Sequence, residues 1–254
     1  MNDNAKLGLL NLLPGWVVRK LMRTRYERMI GGGGEVELSQ LPRIVRKEDL
    51  ALDVGSNLGI YTYALSQLAG QVIAFEPIPL LARFVRNQAL PNVTVREIAL
   101  SATGGERELC VPEEGAAYAT LRDDAPSGNV ERLKVATQTL DALGLGRIGF
   151  MKIDVEGFEE AVLNGAQETI KRDKPRLLIE IEERHNVGGI DRIVTMLAAM
   201  GYDCSFFHNG DWHSISDFEL ERDQNPKILN NPIDGRRYIN NFLFLPNGEA
   251  LKAA

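Results

Sequence analysis

The residues best suited to chemistry fall into two groups. The first is Asp53-Val54-Gly55-Ser56-Asn57-Leu58-Gly59, answered downstream by Glu76 in Phe75-Glu76-Pro77. The second is a set of acids with one histidine: Asp154, Glu156, Glu180, Glu182 and His185. A turn built on Gly55, Ser56, Asn57 and Gly59 lets a ligand approach bare backbone at a helix N-terminus, because glycine adds no side chain and tolerates left-handed dihedrals. An acid about twenty residues past the first glycine, at the end of a second strand, is where doubly wound folds hold ribose hydroxyls. Together these features mark a nucleoside site; the alternative is a plain strand-to-helix turn capped by Asp53.

Spacing discriminates among nucleosides. The dinucleotide fingerprint G-x-G-x-x-G uses its second glycine to clear room for pyrophosphate. Here the run is Gly-Ser-Asn-Leu-Gly, so Asn57 fills that place. S-adenosylmethionine has no phosphate but carries an ammonium, which Asp53 can receive, and a carboxylate, which the amides from Gly55 to Gly59 can receive. Methyl transfer from a sulfonium is an in-line displacement for which the protein supplies orientation and electrostatics. A hydroxyl acceptor also needs a base, or a metal that lowers its pKa. Asp154, expected on the strand beside the first, is the leading base. Glu180 is a further candidate, and so is His185, which titrates near neutrality. Converging carboxylates can also hold Mg²⁺, although no residue is assigned as a metal ligand. The alternative is that Asp154 and Glu156 only cap the following helix, with residues 180–183 a solvated strand end. Enzymes that methylate base amino groups place a D/N-P-P-Y type turn here. Asp154-Val155-Glu156-Gly157 has neither proline nor aromatic, which weighs against a nucleobase acceptor. A nicotinamide-dependent oxidoreductase and a non-catalytic nucleoside-binding module are the competing readings. The missing second fingerprint glycine and the lack of a Tyr-x-x-x-Lys pair speak against the former.

The elements that must position these residues follow from apolar periodicity. Strands are expected at 50–54, 71–75, 92–100, 148–153, 176–182, 202–207 and 241–245. Helices are expected at 58–68, 80–88, 158–170 and 190–200. Ala99 and Leu100 leave the third strand where adenine would be walled. Residues 101–137 read as an antiparallel insertion with a loop over the site, and 208–237 as a polar loop or lid. Strands alternating with helices predict an α/β fold. Its sheet is mostly parallel and seven-stranded, with helices on both faces and an antiparallel edge strand.

A chain of 254 residues suffices for one large α/β domain with a small appendage. Hydrophobic content of 44% and charged content of 25% are ordinary for a globular protein. A net charge of −6 gives no electrostatic reason to expect nucleic acid. Cys110 and Cys204 lie far apart without metal spacing and read as buried thiols in a reducing, cytoplasmic setting. No stretch approaches the roughly 20 apolar residues of a spanning helix, and residues 7–18, broken by Pro14-Gly15, do not read as a signal peptide. Residues 1–30 hold six cations against two acids, interleaved with Trp16 and leucines. They read either as a membrane-surface or partner-binding segment, or as a helix that caps the domain and covers the site's mouth. Residues 31–34, all glycine, read as a flexible joint. The division expected is a basic, apolar segment 1–34 followed by a single domain, 35–254, that opens on a short strand-like piece.

Taken in order, the motifs resemble the FkbM-type methyltransferases. The resemblance is carried by Asp53-Val54-Gly55-Ser56-Asn57-Leu58-Gly59-Ile60-Tyr61-Thr62, Phe75-Glu76-Pro77, Asn92-Val93, Ala99-Leu100 and Thr139-Leu140-Asp141. It continues through Lys152-Ile153-Asp154-Val155-Glu156-Gly157, Val162-Leu163-Asn164-Gly165-Ala166, Pro175 and Glu180. Ser56 and Phe158 stand where the family more often has alanine. The resemblance implies a Rossmann-like class I methyltransferase fold, S-adenosylmethionine as cofactor, and O-methylation of a hydroxyl on a sugar, glycan or natural product. Tyr61 and Pro77, which lie in these motifs, join the cofactor-binding set, as does Ala99 from its place at the strand exit. Residues 1–48 and 183–254 fall outside the resemblance.

Overall fold

In the computed structural model, which describes residues 14–112, 119–121, 130–228 and 237–252, the apolar run Leu50–Val54 forms β1 at the middle of the sheet. In chain order, Gln71–Phe75 is β2, Val93–Arg96 β3, Ala99–Leu100 β4, Gly105–Pro112 β5 and Val130–Gln138 β6. Ile148–Ile153 is β7, Arg176–Glu180 β8, Tyr202–His208 β9, Asp211–Ser214 β10 and Asn241–Pro246 β11. The main sheet runs β10-β9-β11-β8-β7-β1-β2-β3. Its five strands from β8 to β3 are mutually parallel.

The expected α/β architecture is present with three differences in detail. The sheet has eight strands rather than seven, because β10, inside the stretch read as a loop, pairs antiparallel with β9 at the edge. The closing strand β11 is antiparallel but interior, inserted between β8 and β9. The expected third strand divides: β3 stays in the main sheet, while β4 joins a three-stranded sheet with the long hairpin β5–β6. That hairpin is the antiparallel insertion read from residues 101–137.

Strand alternation decides which face each side chain takes. Leu52 and Val54 of β1, Met151 and Ile153 of β7, and Leu177 and Ile179 of β8 pack in one core cluster. That face is covered by Glu159–Asn164, Gln167–Asp173 and Gly189–Ala199 through Val162, Ile170 and Ile193. Ala51, Phe150 and Leu178 point the other way, against Tyr61 and Leu65 of the helix Ile60–Leu68. Asp53, Lys152 and Glu180 share this second face by the same period of two. The helix expected over 158–170 breaks at Gly165-Ala166, where a Cβ on Gly165 would stand 2.0 Å from the Ser101 carbonyl oxygen.

Of the basic N-terminal stretch, residues 1–13 lie outside the described part. The remainder forms the helix Gly15–Arg28, which buries Val18, Met22 and Tyr26 against Tyr63, Ile78 and Phe84. The Tyr26 hydroxyl donates to the Leu58 carbonyl inside the glycine turn. The glycine run, expected as a flexible joint, carries a kink at Gly32, whose φ is 110°. The helix widens into a π turn over Met29–Gly33, closed by Gly34 N–H donating to the Met29 carbonyl at 3.0 Å. The strand-like piece expected next is a 3₁₀ turn, Val36–Gln40, followed by the short helix Leu41–Ile44.

Candidate active site

The carboxyl ends of β1, β2, β7 and β8 open onto one cavity of about 240 Å³. Eight of the residues singled out from the sequence line it: Gly55, Asn57, Glu76, Pro77, Ala99, Asp154, Glu156 and Glu180. Asp53, Ser56, Gly59, Tyr61 and His185 stand behind or beside that wall.

Glu76 closes one end. Its carboxylate accepts the Asn57 N–H at 2.8 Å and the Ile78 N–H at 2.9 Å. These bonds leave acceptor capacity on both oxygens, which is what a ribose diol needs. Phe75, Ile98, Ala99, Leu100, Leu109 and Leu121 supply an apolar slot beside it, suited to a purine ring. The nucleoside half of S-adenosylmethionine therefore fits the residues present. The amides expected to take its carboxylate are already engaged. Gly55 and Ser56 N–H donate to the Phe75 carbonyl at 3.0 and 3.1 Å, Asn57 N–H to Glu76, and Gly59 N–H to the Ser56 carbonyl at 2.7 Å. Asp53 is 1% exposed and accepts the Thr62 hydroxyl. The acids on the wall are instead Glu35, Asp154, Glu156 and Glu180, besides Glu76.

Beneath these acids lies a buried cation that residue type and spacing alone do not single out. Lys152 is fully buried on β7, in register with Asp53 on β1. Its Nζ is 3.5 Å from Asp154 Oδ2, 3.8 Å from Glu180 Oε2 and 4.9 Å from the Tyr61 ring centroid. Burial pulls the ammonium's pKa down, but the carboxylates of Asp154, Glu180, Glu35 and Asp53 overcome this and hold it above the ordinary lysine range. One cation cannot neutralise them all. Burial and the neighbouring Asp154 charge push Glu180 well above the usual carboxylate range, against the pull of Lys152. Asn240 Nδ2 donates to Glu180 at 2.7 Å. Glu35 is the other residue missed. It follows the glycine run directly, accepts the Tyr61 hydroxyl at 2.6 Å and takes Asn241 Nδ2 at 3.2 Å. A lone lysine inside the otherwise apolar Ile-Gly-Phe-Met-Lys-Ile run, next to an aspartate, was the available signal for Lys152.

Glu156 occupies a left-handed backbone position at φ 50°, an uncommon conformation for a residue with a side chain. Its carbonyl accepts the Thr120 hydroxyl at 2.9 Å, and its Oε2 lies 3.4 Å from His185 Nε2. Burial, with Asp154 and Glu182 nearby, raises its pKa to about 8. Among the described residues no group of three or more His, Cys, Asp or Glu is arranged to hold a metal ion; Asp154, Glu180, Glu35 and Asp53 surround Lys152.

The raised carboxylates set a direction for stability. Burial, as the largest cause in each, lifts Asp53 to about 6, Glu37, Glu76 and Glu159 to about 7, and Glu156 to about 8. A carboxyl with a raised folded pKa costs nothing while the unfolded chain is also protonated. The penalty grows as pH rises through the gap between the two values. The cofactor-free protein is therefore expected to lose more than about 5 °C of Tm between about pH 5 and pH 8 in a thermal melt. Glu156→Gln should flatten the upper end of that profile.

Comparison with known proteins gives this geometry its context. A family model described as methyltransferase FkbM domain matches residues 53–204. Among curated proteins, the AMB antimetabolite synthetase AmbE of Pseudomonas aeruginosa is 26% identical over 208 residues, 64% of this chain but 10% of AmbE. The 31-O-demethyl-FK506 methyltransferase FkbM of Streptomyces tacrolimicus is 26% identical over 197 residues, 62% of this chain and 74% of that protein. Among solved structures, methyltransferase FkbM from Methylobacillus flagellatus aligns over 78% of this chain and 44% of its own, with a TM-score of 0.51 at 15% identity. The chain thus spans a tenth of AmbE and less than half of that solved protein. The matched residues run from Asp53 through the glycine turn, Glu76, Lys152 and Asp154 to β9, and the chain belongs to the FkbM methyltransferase family, S-adenosylmethionine-dependent enzymes of Rossmann-like fold.

Proposed function

We propose that this chain methylates a hydroxyl of a small molecule, of the sugar, glycan or natural-product kind, with S-adenosylmethionine as donor. The observation that carries the proposal is the division of one cavity between an apolar slot closed by Glu76 and an acid wall of Asp154, Glu156 and Glu180. When bound, the cofactor supplies a methyl group on an electron-poor sulfur. Glu76 holds the ribose diol, and the apolar slot takes the adenine. Asp154, half-exposed beside the buried Lys152 ammonium, is placed to accept the proton of an acceptor hydroxyl. Glu180, fixed by Asn240, and the Glu156–His185 pair position that acceptor. By its name the Streptomyces relative acts on 31-O-demethyl-FK506, which supports an oxygen on a small molecule over a nucleic acid. The net charge of −6 points the same way. Family membership favours methyl transfer over the nicotinamide reading.

Glu76→Ala removes a carboxylate that organises two backbone amides and faces the ribose. Calorimetric titration of S-adenosylhomocysteine is expected to show affinity lower by about tenfold or more than for wild type, since hydrogen bonds to a charged group carry about 1.5–3 kcal/mol. Acceptor class is tested by incubating the protein with S-adenosylmethionine and a panel of hydroxylated sugars and polyketides, with mass spectrometry reading methyl ethers. Asp154→Asn should abolish turnover while leaving S-adenosylhomocysteine affinity within a few-fold. Undiminished turnover in that variant would remove Asp154 from the chemistry. Binding without turnover on any acceptor would favour a nucleoside-binding module.

A further inference from the structure

The helix Gly15–Arg28 buries only every fourth residue, Val18, Met22 and Tyr26. Its opposite side is open. Trp16 is 65% exposed and Leu21 51% exposed, two of the large apolar side chains most open to solvent among the described residues. Lys20, Arg25 and Arg28 share that side and make no side-chain hydrogen bond or ion pair within the described residues. Over its length the helix carries five cations (Arg19, Lys20, Arg23, Arg25, Arg28) and one acid, Glu27, in a chain whose net charge is −6. Charge is thus segregated: the protein as a whole is acidic, and this one outward face is basic and apolar together.

We propose that this face docks the chain on an anionic phospholipid surface, Trp16 and Leu21 entering the headgroup layer and Lys20, Arg25 and Arg28 pairing with lipid phosphates. A helix lying in an interface needs that combination of aromatic and aliphatic groups flanked by cations. No helix among the described residues is long and apolar enough to cross a membrane; the attachment proposed is a peripheral one. The alternatives fit less well. A second copy meeting this face about a two-fold axis would bring the same cations against themselves. A nucleic acid would satisfy the cations but leave Trp16 and Leu21 without a role. The inner side of the helix belongs to the same apolar cluster as Ile78, Ala99, Leu109 and Leu121, which line the cofactor cavity. The docking face and the cavity therefore flank one cluster.

The test is co-sedimentation of the full chain with phosphatidylcholine vesicles and with phosphatidylcholine vesicles containing phosphatidylglycerol. It is run on wild type, on a K20E/R25E/R28E variant and on a W16A/L21S variant. The altered side chains are exposed, and S-adenosylhomocysteine affinity checks that each variant is folded. Binding confined to the phosphatidylglycerol vesicles, weakened by salt and lowered at least about tenfold in both variants, is expected. In a Trp212→Phe background, Trp16 emission should shift to the blue on binding. Equal binding by wild type and variants, no preference for the anionic vesicles, or concentration-dependent dimerisation or RNA binding without vesicle binding would each overturn the proposal.

Discussion

Replacing Lys152 by Met is expected to lower the unfolding free energy by about 3–5 kcal/mol at neutral pH, because breaking a buried ion pair from one side leaves the other side's charge uncompensated. Lys152 is fully buried with carboxylate oxygens at 3.5 and 3.8 Å. Met matches the stem in length and keeps the contact with the Tyr61 ring, so packing accounts for little of the loss. The pH dependence separates charge from packing. Glu180 already has a raised folded pKa, and without the ammonium it rises further while its unfolded value stays put. The deficit should be full above neutrality and close as pH falls through the ordinary carboxylate range, where the unfolded chain is protonated too. Urea midpoints of wild type and variant at several pH values read this directly. Adding Glu180→Gln should restore part of the loss by removing one of the stranded charges. A deficit independent of pH would reduce Lys152 to a packing residue. The same ammonium is the electrostatic partner of Asp154, so whatever fraction of the Lys152 variant stays folded at neutral pH should still bind S-adenosylhomocysteine through Glu76 yet lose turnover.

The parts of this site that were legible in the sequence are those fixed by local backbone. The glycine turn is one, since left-handed dihedrals at a strand-to-helix junction demand particular residues. Glu76 is another, since it ends the second strand at a distance set by one helical crossover. Lys152 and Glu35 were not legible as site residues. The environment of Lys152 comes from pairing β7 beside β1, which brings Asp53 and Lys152 into register, and from Glu180 one strand further on. Glu35 lines the cavity where the glycine run, closed by a π turn, delivers it to the Tyr61 hydroxyl and Asn241. The interior place of β11 was hidden for a related reason. Antiparallel pairing to β8 through Phe242 and Leu243, and to β9 through the same residues, depends on an apolar strand buried on both faces, and an apolar run does not say which neighbours it will find. The break at Gly165 is set by the Ser101 carbonyl, far away in sequence.

Gly55→Ala is the second substitution of large effect, expected to cost more than about 4 kcal/mol and to leave little folded protein. Two independent causes act at one position. Gly55 has φ 84°, where any side chain is strained, and the strain alone is worth about 1–3 kcal/mol. A Cβ there would stand 1.8 Å from the Asp154 carbonyl oxygen. That oxygen cannot retreat cheaply, because the Asp154 N–H donates to the Val54 carbonyl at 2.9 Å and the two strand ends are locked together. The close approach is what brings Asp154 up against the glycine turn and so joins the apolar half of the cavity to its acid wall. The comparison that isolates this is Gly59→Ala. Gly59 also has positive φ, 82°, but its nearest neighbour would be a Val85 methyl at 3.2 Å, the end of a side chain that can shift. Gly59→Ala should therefore cost only the backbone strain, about 1–3 kcal/mol, and fold with S-adenosylhomocysteine affinity reduced by less than about tenfold. Equal loss in the two variants, read from urea midpoints, would mean that left-handed strain rather than contact with Asp154 is what the first glycine serves.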